Sequence, residues 1–332
     1  MKIADAVWQM KIPMRHNPLR HTYSYLLSDA ATLIDTGVGT GAARIALDEQ
    51  LKAAGLNASD IEQVILTHLH RDHVVLAEYL RSKSGAEIYA HEKAIEVLKK
   101  RAVDDKARYD EARDELKALG GGQLLNVLSR FEHAFRRRRS SIHIDGTVSD
   151  GGLLGMNGAE LRVIWTPGHA PEHICLHDEE RRLLFSGDHV LPRITSHIGL
   201  HTYEAADPLS DYLNSLEKLK NLPVDLVLPA HEYTFRDLGG RIDALKHHHR
   251  MRCMEIMGAL DGWRTVFQVS AYVSWDSVPW NRMRFWTKRM AAAETLAHLV
   301  YLRNRGAVEE RDIDGVLYYR RADKDTGALR DS

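Results

Sequence analysis

Four side chains that commonly bind metal ions lie within six residues of this sequence: His68, His70, Asp72 and His73. They come directly after the run Val64–Thr67, which predicts a short buried strand. Imidazole and carboxylate groups suit Zn²⁺ and its first-row neighbours, and the loop after a strand can aim several of them at one point. The segment therefore predicts a metal site at the end of a β-strand.

Three further candidate ligands occur later in the chain, each at the end of a predicted strand. His169 ends the sequence Thr-Pro-Gly-His, Asp188 ends Phe-Ser-Gly-Asp, and His231 ends Leu-Pro-Ala-His. A glycine beside a ligand lets the backbone turn tightly or approach the site closely. These three residues are the expected partners of the first four.

From about residue 20 to 235 the chain resembles the metallo-β-lactamase superfamily, through the turn Asp35-Thr36-Gly37, the HxHxDH motif and the three later ligands in order. A single His or Asp at a strand end usually caps the strand or lies on the surface, but seven in the family's order indicate one set. The resemblance implies a four-layer αββα sandwich, with two packed sheets, helices outside and metals at one sheet edge. It assigns His68, His70 and His169 to a first metal, Asp72, His73 and His231 to a second, and Asp188 as the bridge between them.

The complete ligand set favours hydrolysis, because superfamily members that oxidise sulfur at a single iron lack part of the second-metal set. Two divalent ions about 3.5–4 Å apart can share a hydroxide that is nucleophilic at pH 7, and one ion can polarise the scissile carbonyl or phosphoryl oxygen. We expect Zn²⁺ first, with iron or manganese as alternatives, since N and O ligands do not select sharply among them. Asp188, as the bridge, and Asp72, through proton transfer, are the predicted catalytic residues.

The pattern of apolar runs and turn residues predicts an α/β fold, in which strands alternate with helices. Helices are expected over residues 40–55 and 75–83. The predicted strands cover Thr22–Leu27, Thr32–Asp35, Val64–Thr67, Glu87–Ala90, and residues 160–166, 173–177, 182–186 and 224–228.

Two segments depart from this alternation. A charged, helix-prone insertion of about residues 92–145 contains the run Arg136–Arg139. After about residue 240 helical patterns dominate, over residues 241–260 and 290–305, and a hairpin is expected around Asp314-Gly315. We therefore predict a catalytic domain over residues 1–260, with that insertion, and a small winged-helix-like domain over 261–332.

Six residues are candidates for contact with the substrate. His189, His197 and His201 follow the expected bridge in a predicted loop, and Tyr233 lies two residues after the last ligand. His248 and Arg252 belong to a helical segment that resembles the region after the last ligand in members with a winged helix. In the thioesterase members, residues of such a C-terminal helical region bind the anionic part of the substrate.

The composition of the chain limits which kinds of molecule it is expected to bind and where in the cell it is expected to be. The 332 residues carry 45 Lys and Arg against 46 Asp and Glu, a net charge of −1, so global electrostatics attract neither nucleic acid nor an anionic membrane. The N-terminus contains no apolar stretch long enough for a signal peptide, and no window approaches a membrane span of about 20 residues. Cys175 and Cys253 are expected to be free thiols. The chain is therefore predicted to be cytoplasmic.

These observations favour a small-molecule acyl substrate, with cleavage of a thioester or ester as in hydroxyacylglutathione hydrolases. The alternatives are a metal-dependent endoribonuclease and a lactonase of the same superfamily. Leu191 stands where the acyl-homoserine lactonases usually carry a tyrosine, which counts against a lactonase. Nucleic acid is a less favoured alternative partner, because Arg136–Arg139 could contact phosphate. A homodimer is also an alternative, because winged-helix-like tails often serve dimerisation.

Overall fold

The computed structural model describes residues 1–15, 17–101, 105–131, 142–156, 159–200, 206–275 and 278–323. The strands are β1 (Lys2–Ala4), β2 (Val7–Pro13), β3 (His21–Leu27), β4 (Thr32–Ile34), β5 (Gln63–Ile65), β6 (Glu87–His91), β7 (Gly146–Val148), β8 (Leu153–Met156), β9 (Ala159–Trp165), β10 (Ile174–Asp178), β11 (Leu183–Gly187), β12 (Leu226–Pro229), β13 (Arg264–Thr265), β14 (Val308–Ile313) and β15 (Val316–Arg321). The α-helices are α1 (Gly41–Ala53), α2 (Arg71–Val74), α3 (Ala77–Ser84), α4 (Lys93–Arg101), α5 (Asp105–Ala118), α6 (Leu125–Ser129), α7 (Pro208–Lys220), α8 (Leu238–Ala259), α9 (Val266–Ser270) and α10 (Phe285–Asn304).

The chain divides into two compact units. Unit 1 comprises Met1–Leu98, Ser140–Ser196 and Asn214–Ile242, and unit 2 comprises Lys99–Arg139, His197–Leu213 and Asp243–Ser332. The predicted boundary at residue 260 thus falls inside unit 2, and most of the predicted insertion belongs to unit 2 rather than to the unit that surrounds it in sequence.

Unit 1 contains two sheets. One has seven strands in the order β1-β2-β3-β4-β5-β6-β7, antiparallel up to β4 and parallel from β4 to β7. The other has five strands in the order β12-β11-β10-β9-β8, with β11 and β12 parallel and the rest antiparallel. Sheets and helices together confirm the predicted mixed α/β class.

Alternating side chains of the seven-stranded sheet enter two separate cores, because successive residues of a strand point to opposite faces. On β3, Tyr25 and Leu27 pack with Phe185 and other residues of the five-stranded sheet. Leu26, between them, packs on the opposite face with Leu47 of α1. The seven-stranded sheet therefore lies between a layer of helices and the second sheet.

Unit 2 contains the three-stranded sheet β13-β15-β14, together with α9 and α10. The predicted hairpin is present: Ile313 pairs with Val316 across Asp314 and Gly315, whose φ angles of 53° and 78° suit a type I′ turn. Thr265 and Gln268 form a capping box that starts α9. From α8 onward the elements include a helix, a strand, two further helices and the hairpin; the two long helices and the hairpin were predicted, whereas β13 and α9 were not.

Several elements differ from the sequence expectation; β13, α7 and α9, for example, were not predicted. The HxHxDH motif, predicted as a loop, contains the one-turn helix α2. Strands β7 and β8 were not predicted, since each is short and neither shows a sustained apolar alternation. Among the described residues no helix combines the length and apolar character needed to span a membrane.

Candidate metal centre

The seven predicted ligands gather at one edge of the two sheets of unit 1. Four of them follow β5, on α2 and the loop before it, and the other three follow β9, β11 and β12. Within each of two groups, one nitrogen or oxygen from every member lies within 4.8 Å of the others. The first group is His68, His70, His169 and Asp188, and the second is Asp72, His73 and His231.

Asp188 contacts both groups. Its Oδ2 lies 3.5 Å from Nε2 of His169 and 3.5 Å from Nε2 of His73, while its Oδ1 lies 3.3 Å from Nε2 of His231. Two ligand atoms bound about 2.1 Å from one tetrahedral ion lie roughly 3.4 Å apart. The observed spacings are compatible with atoms that share an ion, and Asp188 is the residue whose carboxylate contacts histidines of both groups.

Hydrogen bonds at Nδ1 orient three histidines so that, in the neutral form that binds a metal, Nε2 carries the lone pair. His73 Nδ1 donates to Asp35 at 2.8 Å, and His231 Nδ1 donates to the carbonyl oxygen of His21 at 3.1 Å. Thr67 donates its hydroxyl proton to Asp35, so its oxygen accepts from His68 Nδ1 at 3.0 Å. A neutral imidazole that donates through one nitrogen offers the other to a metal.

Four buried atoms of the centre have no hydrogen-bond partner: Nε2 of His68, His73 and His231, and Oδ1 of Asp188. Leaving one such group unsatisfied costs about 1–3 kcal/mol, and more when it is charged. Divalent metal ions would satisfy all four at once. The donor set, which contains nitrogen and oxygen atoms and no sulfur, therefore fits divalent ions such as Zn²⁺ or its first-row neighbours.

In the centre a carboxylate is surrounded by imidazoles, and each of these groups shifts the pKa of the others. Burial alone would raise the pKa of Asp188, but His231 and His73 hold it well below its usual range. Burial likewise opposes protonation of His73, but the carboxylates of Asp188, Asp35 and Asp72 raise its pKa well above the ordinary value. Burial, with the neighbouring histidines, lowers the pKa of His68 well below the ordinary value.

Four supporting residues around the ligands were not among the predicted site residues. Asp35 accepts from the backbone N–H and the hydroxyl of Thr67 as well as from His73. Glu172 accepts from the N–H of Leu69, between two ligands, at 3.0 Å, and His173 contacts the backbone of Asp188. The available signal was a set of polar residues inside otherwise apolar strand ends.

Two of the predicted substrate residues lie in unit 1, close in sequence to ligands. His189 is fully buried, with its ring 5.6 Å from that of His173, and it belongs to neither ligand group. Tyr233 is 47% exposed, and the guanidinium of Arg193 lies 5.8 Å from its ring. Of the two, only Tyr233 is accessible to a ligand in this structure.

The other predicted substrate residues belong to unit 2 or lie outside the described residues. His197 contacts Glu294 at 3.3 Å. Arg252 is buried, with its guanidinium 4.5 Å from the ring of Trp275, and His248 on the same helix packs against the neighbouring ring of His249. His201 and the run Arg136–Arg139 lie outside the residues that the structure describes.

Comparisons with known proteins agree with this centre. A family model described as "Metallo-beta-lactamase superfamily" matches residues 17–231. The "Probable metallo-hydrolase YqjP" of Bacillus subtilis is 32% identical over 250 residues, which cover 73% of this chain and 76% of the relative. A metallo-beta-lactamase family protein of Thermus thermophilus superposes with a TM-score of 0.81 at 30% identity, covering 96% of this chain and 99% of that structure. A beta-lactamase domain protein of Burkholderia ambifaria gives a TM-score of 0.74 at 25% identity, covering 97% and 94%.

Proposed function

We propose a reaction for this chain, which belongs to the metallo-beta-lactamase superfamily. As a hydrolase it would use two divalent metal ions, Zn²⁺ foremost, to cleave the ester or thioester bond of a small acyl substrate. One observation carries the proposal: the carboxylate of Asp188 lies within 3.5 Å of histidines from both ligand groups. An ion in each group would be bridged by this residue.

When bound, a pair of divalent ions supplies an activated water molecule and polarises the carbonyl of the substrate. The residues of the chain determine where that chemistry occurs. The five histidines of the two groups would orient the ions, and Asp188 would fix their separation. Asp72 has a more exposed side chain than Asp188, 24% against 10%, so it is the better placed of the two carboxylates to exchange a proton with a leaving group.

Charge supports an acyl substrate over a polyanion. A nuclease must neutralise several phosphates, and basic side chains provide that neutralisation. This chain is balanced, with 45 basic and 46 acidic residues. The Bacillus subtilis relative is described as a probable metallo-hydrolase, which supports hydrolysis without specifying the bond. A small neutral or weakly anionic acyl compound is therefore the substrate class that we propose.

A substrate panel tests the proposal. Zn²⁺-loaded and Mn²⁺-loaded protein would be assayed with thioesters, esters, lactones and a structured RNA, alongside the variant Asp188→Ala as the metal-centre control. We expect turnover of a thioester or ester that depends on the metal and is lost in the variant. Cleavage of RNA without acyl hydrolysis would overturn the substrate class, and activity that persists in Asp188→Ala would overturn the metal mechanism.

A further inference from the structure

We propose that His173 is a positioning residue of the metal centre, which fixes the bridging carboxylate by accepting a hydrogen bond from the backbone of Asp188. The inference rests on the proposed two-metal function and adds a residue that contacts neither metal nor substrate. His173 is fully buried and is not a member of either ligand group.

The hydrogen bonds define the tautomer of the His173 ring. The backbone N–H of Asp188 donates to His173 Nε2 at 3.2 Å, so this nitrogen must carry a lone pair. The proton is therefore on Nδ1, which donates to the hydroxyl oxygen of Thr166 at 2.8 Å. Both ring nitrogens are used, and the ring is oriented from both ends.

The backbone on either side of His173 is also held. Its carbonyl oxygen accepts from the N–H of Thr166 at 2.9 Å, and the N–H of the next residue, Ile174, donates to the carbonyl oxygen of Thr67 at 2.9 Å. Thr67 immediately precedes the first ligand. The backbone that carries the His173 ring is therefore hydrogen-bonded to the segment that leads into His68.

Gly187 lets the His173 ring approach the bridging residue. A Cβ at this position would lie 2.6 Å from His173 Nε2 and 3.0 Å from Thr67 Oγ1, both shorter than normal contacts. Its φ of 50° is also a conformation that favours glycine. The imidazole therefore fills the space that a side chain before Asp188 would otherwise take.

Asp188 is held through both of its backbone polar groups. Its N–H donates to His173, and its carbonyl oxygen accepts from the hydroxyl of Ser196. Because the carboxylate must lie within about 4 Å of histidines in two groups, a rotation of this peptide would move it away from one of them. His173 would therefore act on the metals through the orientation of Asp188, in addition to its ring contacts with His68 and His169.

Two substitutions separate this role from simple filling of space. In His173→Gln the amide oxygen can occupy the position of Nε2 and accept from Asp188. In His173→Asn the shorter side chain reaches only the position of Nδ1, so it can keep the bond to Thr166 but not the bond to Asp188. Zn²⁺ affinity would be measured by chelator competition, and the Co²⁺-loaded proteins would be compared by absorption spectroscopy.

We expect His173→Asn to weaken Zn²⁺ binding about 10- to 100-fold, as outer-shell changes do, and to alter the Co²⁺ spectrum. His173→Gln should restore both towards the wild type. Equal losses in the two variants, or wild-type binding in both, would overturn the positioning role. Failure of the wild type to bind two ions would instead overturn the proposed function, so the two failures are distinguishable.

The tautomer can be tested in the unmodified protein, which protects the test against variants that fail to fold. Long-range ¹H–¹⁵N spectra of ¹⁵N-histidine-labelled protein report which ring nitrogen carries the proton. We expect His173 to be protonated on Nδ1 alone, with and without Zn²⁺. A ring protonated on Nε2 could not accept from Asp188, and that result would overturn the proposal.

Discussion

Asp35 shows how much of the metal centre depends on a residue that does not bind the metal. Its two oxygens take three hydrogen bonds, from the backbone N–H and hydroxyl of Thr67 and from the ring of His73. The first two orient the residue before His68, and the third selects the tautomer of a ligand. One buried carboxylate thus supports ligands of both groups.

Replacing the bridge by its neutral isostere should reduce the metal content. Asp188→Asn keeps the shape of the side chain but removes the charge that both groups share, so we expect the variant to hold fewer than two ions and to lose activity. The loss should exceed the roughly 10- to 100-fold cost of changing an outer-shell partner. Elemental analysis and substrate turnover are the measurements.

The matched control for that variant is Asp48→Asn, because Asp48 is a carboxylate on α1 that accepts from the hydroxyl of Tyr79. It should keep two ions per chain and wild-type turnover. Two ions bound with unchanged affinity in Asp188→Asn would contradict the assignment of the bridge.

The close approach at Gly187 predicts a stability cost. Gly187→Ala would place a Cβ 2.6 Å from His173 Nε2 in a left-handed backbone conformation, and overpacking of a filled site costs about 1–3 kcal/mol. Gly155→Ala is the control, since a Cβ there meets no atom within 4 Å. Denaturant unfolding would measure the free energy of unfolding of both variants. Equal free energies for Gly187→Ala and Gly155→Ala would show that the protein accommodates the Cβ at position 187 without cost.

At the scale of elements, the sequence predicted what local patterns determine. The hairpin around Asp314-Gly315 was predicted correctly because a two-residue turn with positive φ has a strong local signature. Helix α1 was predicted because Ala43, Leu47 and Leu51 form one apolar stripe, and all three are buried.

Elements whose existence depends on distant partners could not be predicted in the same way. Strand β7 has only three residues, and it is defined by parallel pairing with β6, which lies more than fifty residues earlier. The polar character of Glu172 and His173 at a strand end could be seen in the sequence, but their roles could not, because their partners, Leu69 and Asp188, are distant in sequence. The candidate metal ligands could be listed from the sequence because their order is a motif, whereas the residues that support them depend on tertiary contacts.

The contact between α8 and α10 predicts a pH dependence of stability. His298 Nδ1 donates to the carbonyl oxygen of Glu294 at 2.8 Å, so its Nε2 accepts from His249 Nδ1 at 3.1 Å, and both rings are buried. Burial lowers the pKa of His298 from 6.5 to about 4 and lowers the pKa of His249 in the same direction. Both rings are therefore neutral in the folded protein at pH 7.

Because the unfolded chain protonates these histidines first, their contribution to stability is fully present above pH 6.5 and is lost as the pH drops towards 4. One such group contributes about 1.4 kcal/mol per pH unit over this window. His298→Gln should make the decline less steep, whereas the exposed His247→Gln should not. Urea unfolding at pH 7, 6 and 5 measures the slope, and an unchanged slope in His298→Gln would contradict the assignment.

At the scale of the molecule, the metal centre joins the two sheets of unit 1. His68, His70, Asp72 and His73 follow β5 of the seven-stranded sheet, whereas His169, Asp188 and His231 follow strands of the five-stranded sheet. Each ligand group takes members from both sheets. Bound ions would therefore cross-link the sheets as well as perform chemistry.

Removal of metal should consequently lower thermal stability. Ligand present at 100 times its Kd stabilises the folded state by about 2.7 kcal/mol. An unfolding entropy of about 2.1 cal/mol/K per residue over 332 residues makes each kcal/mol worth roughly 1.4 °C in Tm. We expect a chelator to lower Tm by about 4 °C per ion removed, with recovery on adding Zn²⁺. The chelator should lower the Tm of Asp188→Asn by less than that of the wild type. A wild-type Tm that does not change with chelator would contradict a stabilising cross-link between the sheets.

The order of the ligands along the chain has a consequence for how the protein matures. Five of the seven candidate ligands are synthesised by residue 169, but Asp188 and His231 come later, and His231 directly follows β12, which pairs in parallel with β11. A nascent chain that ends before β12 can offer histidines to a metal but cannot complete the second group. Binding of the full set of ions would therefore require the last strand of the five-stranded sheet to have been made.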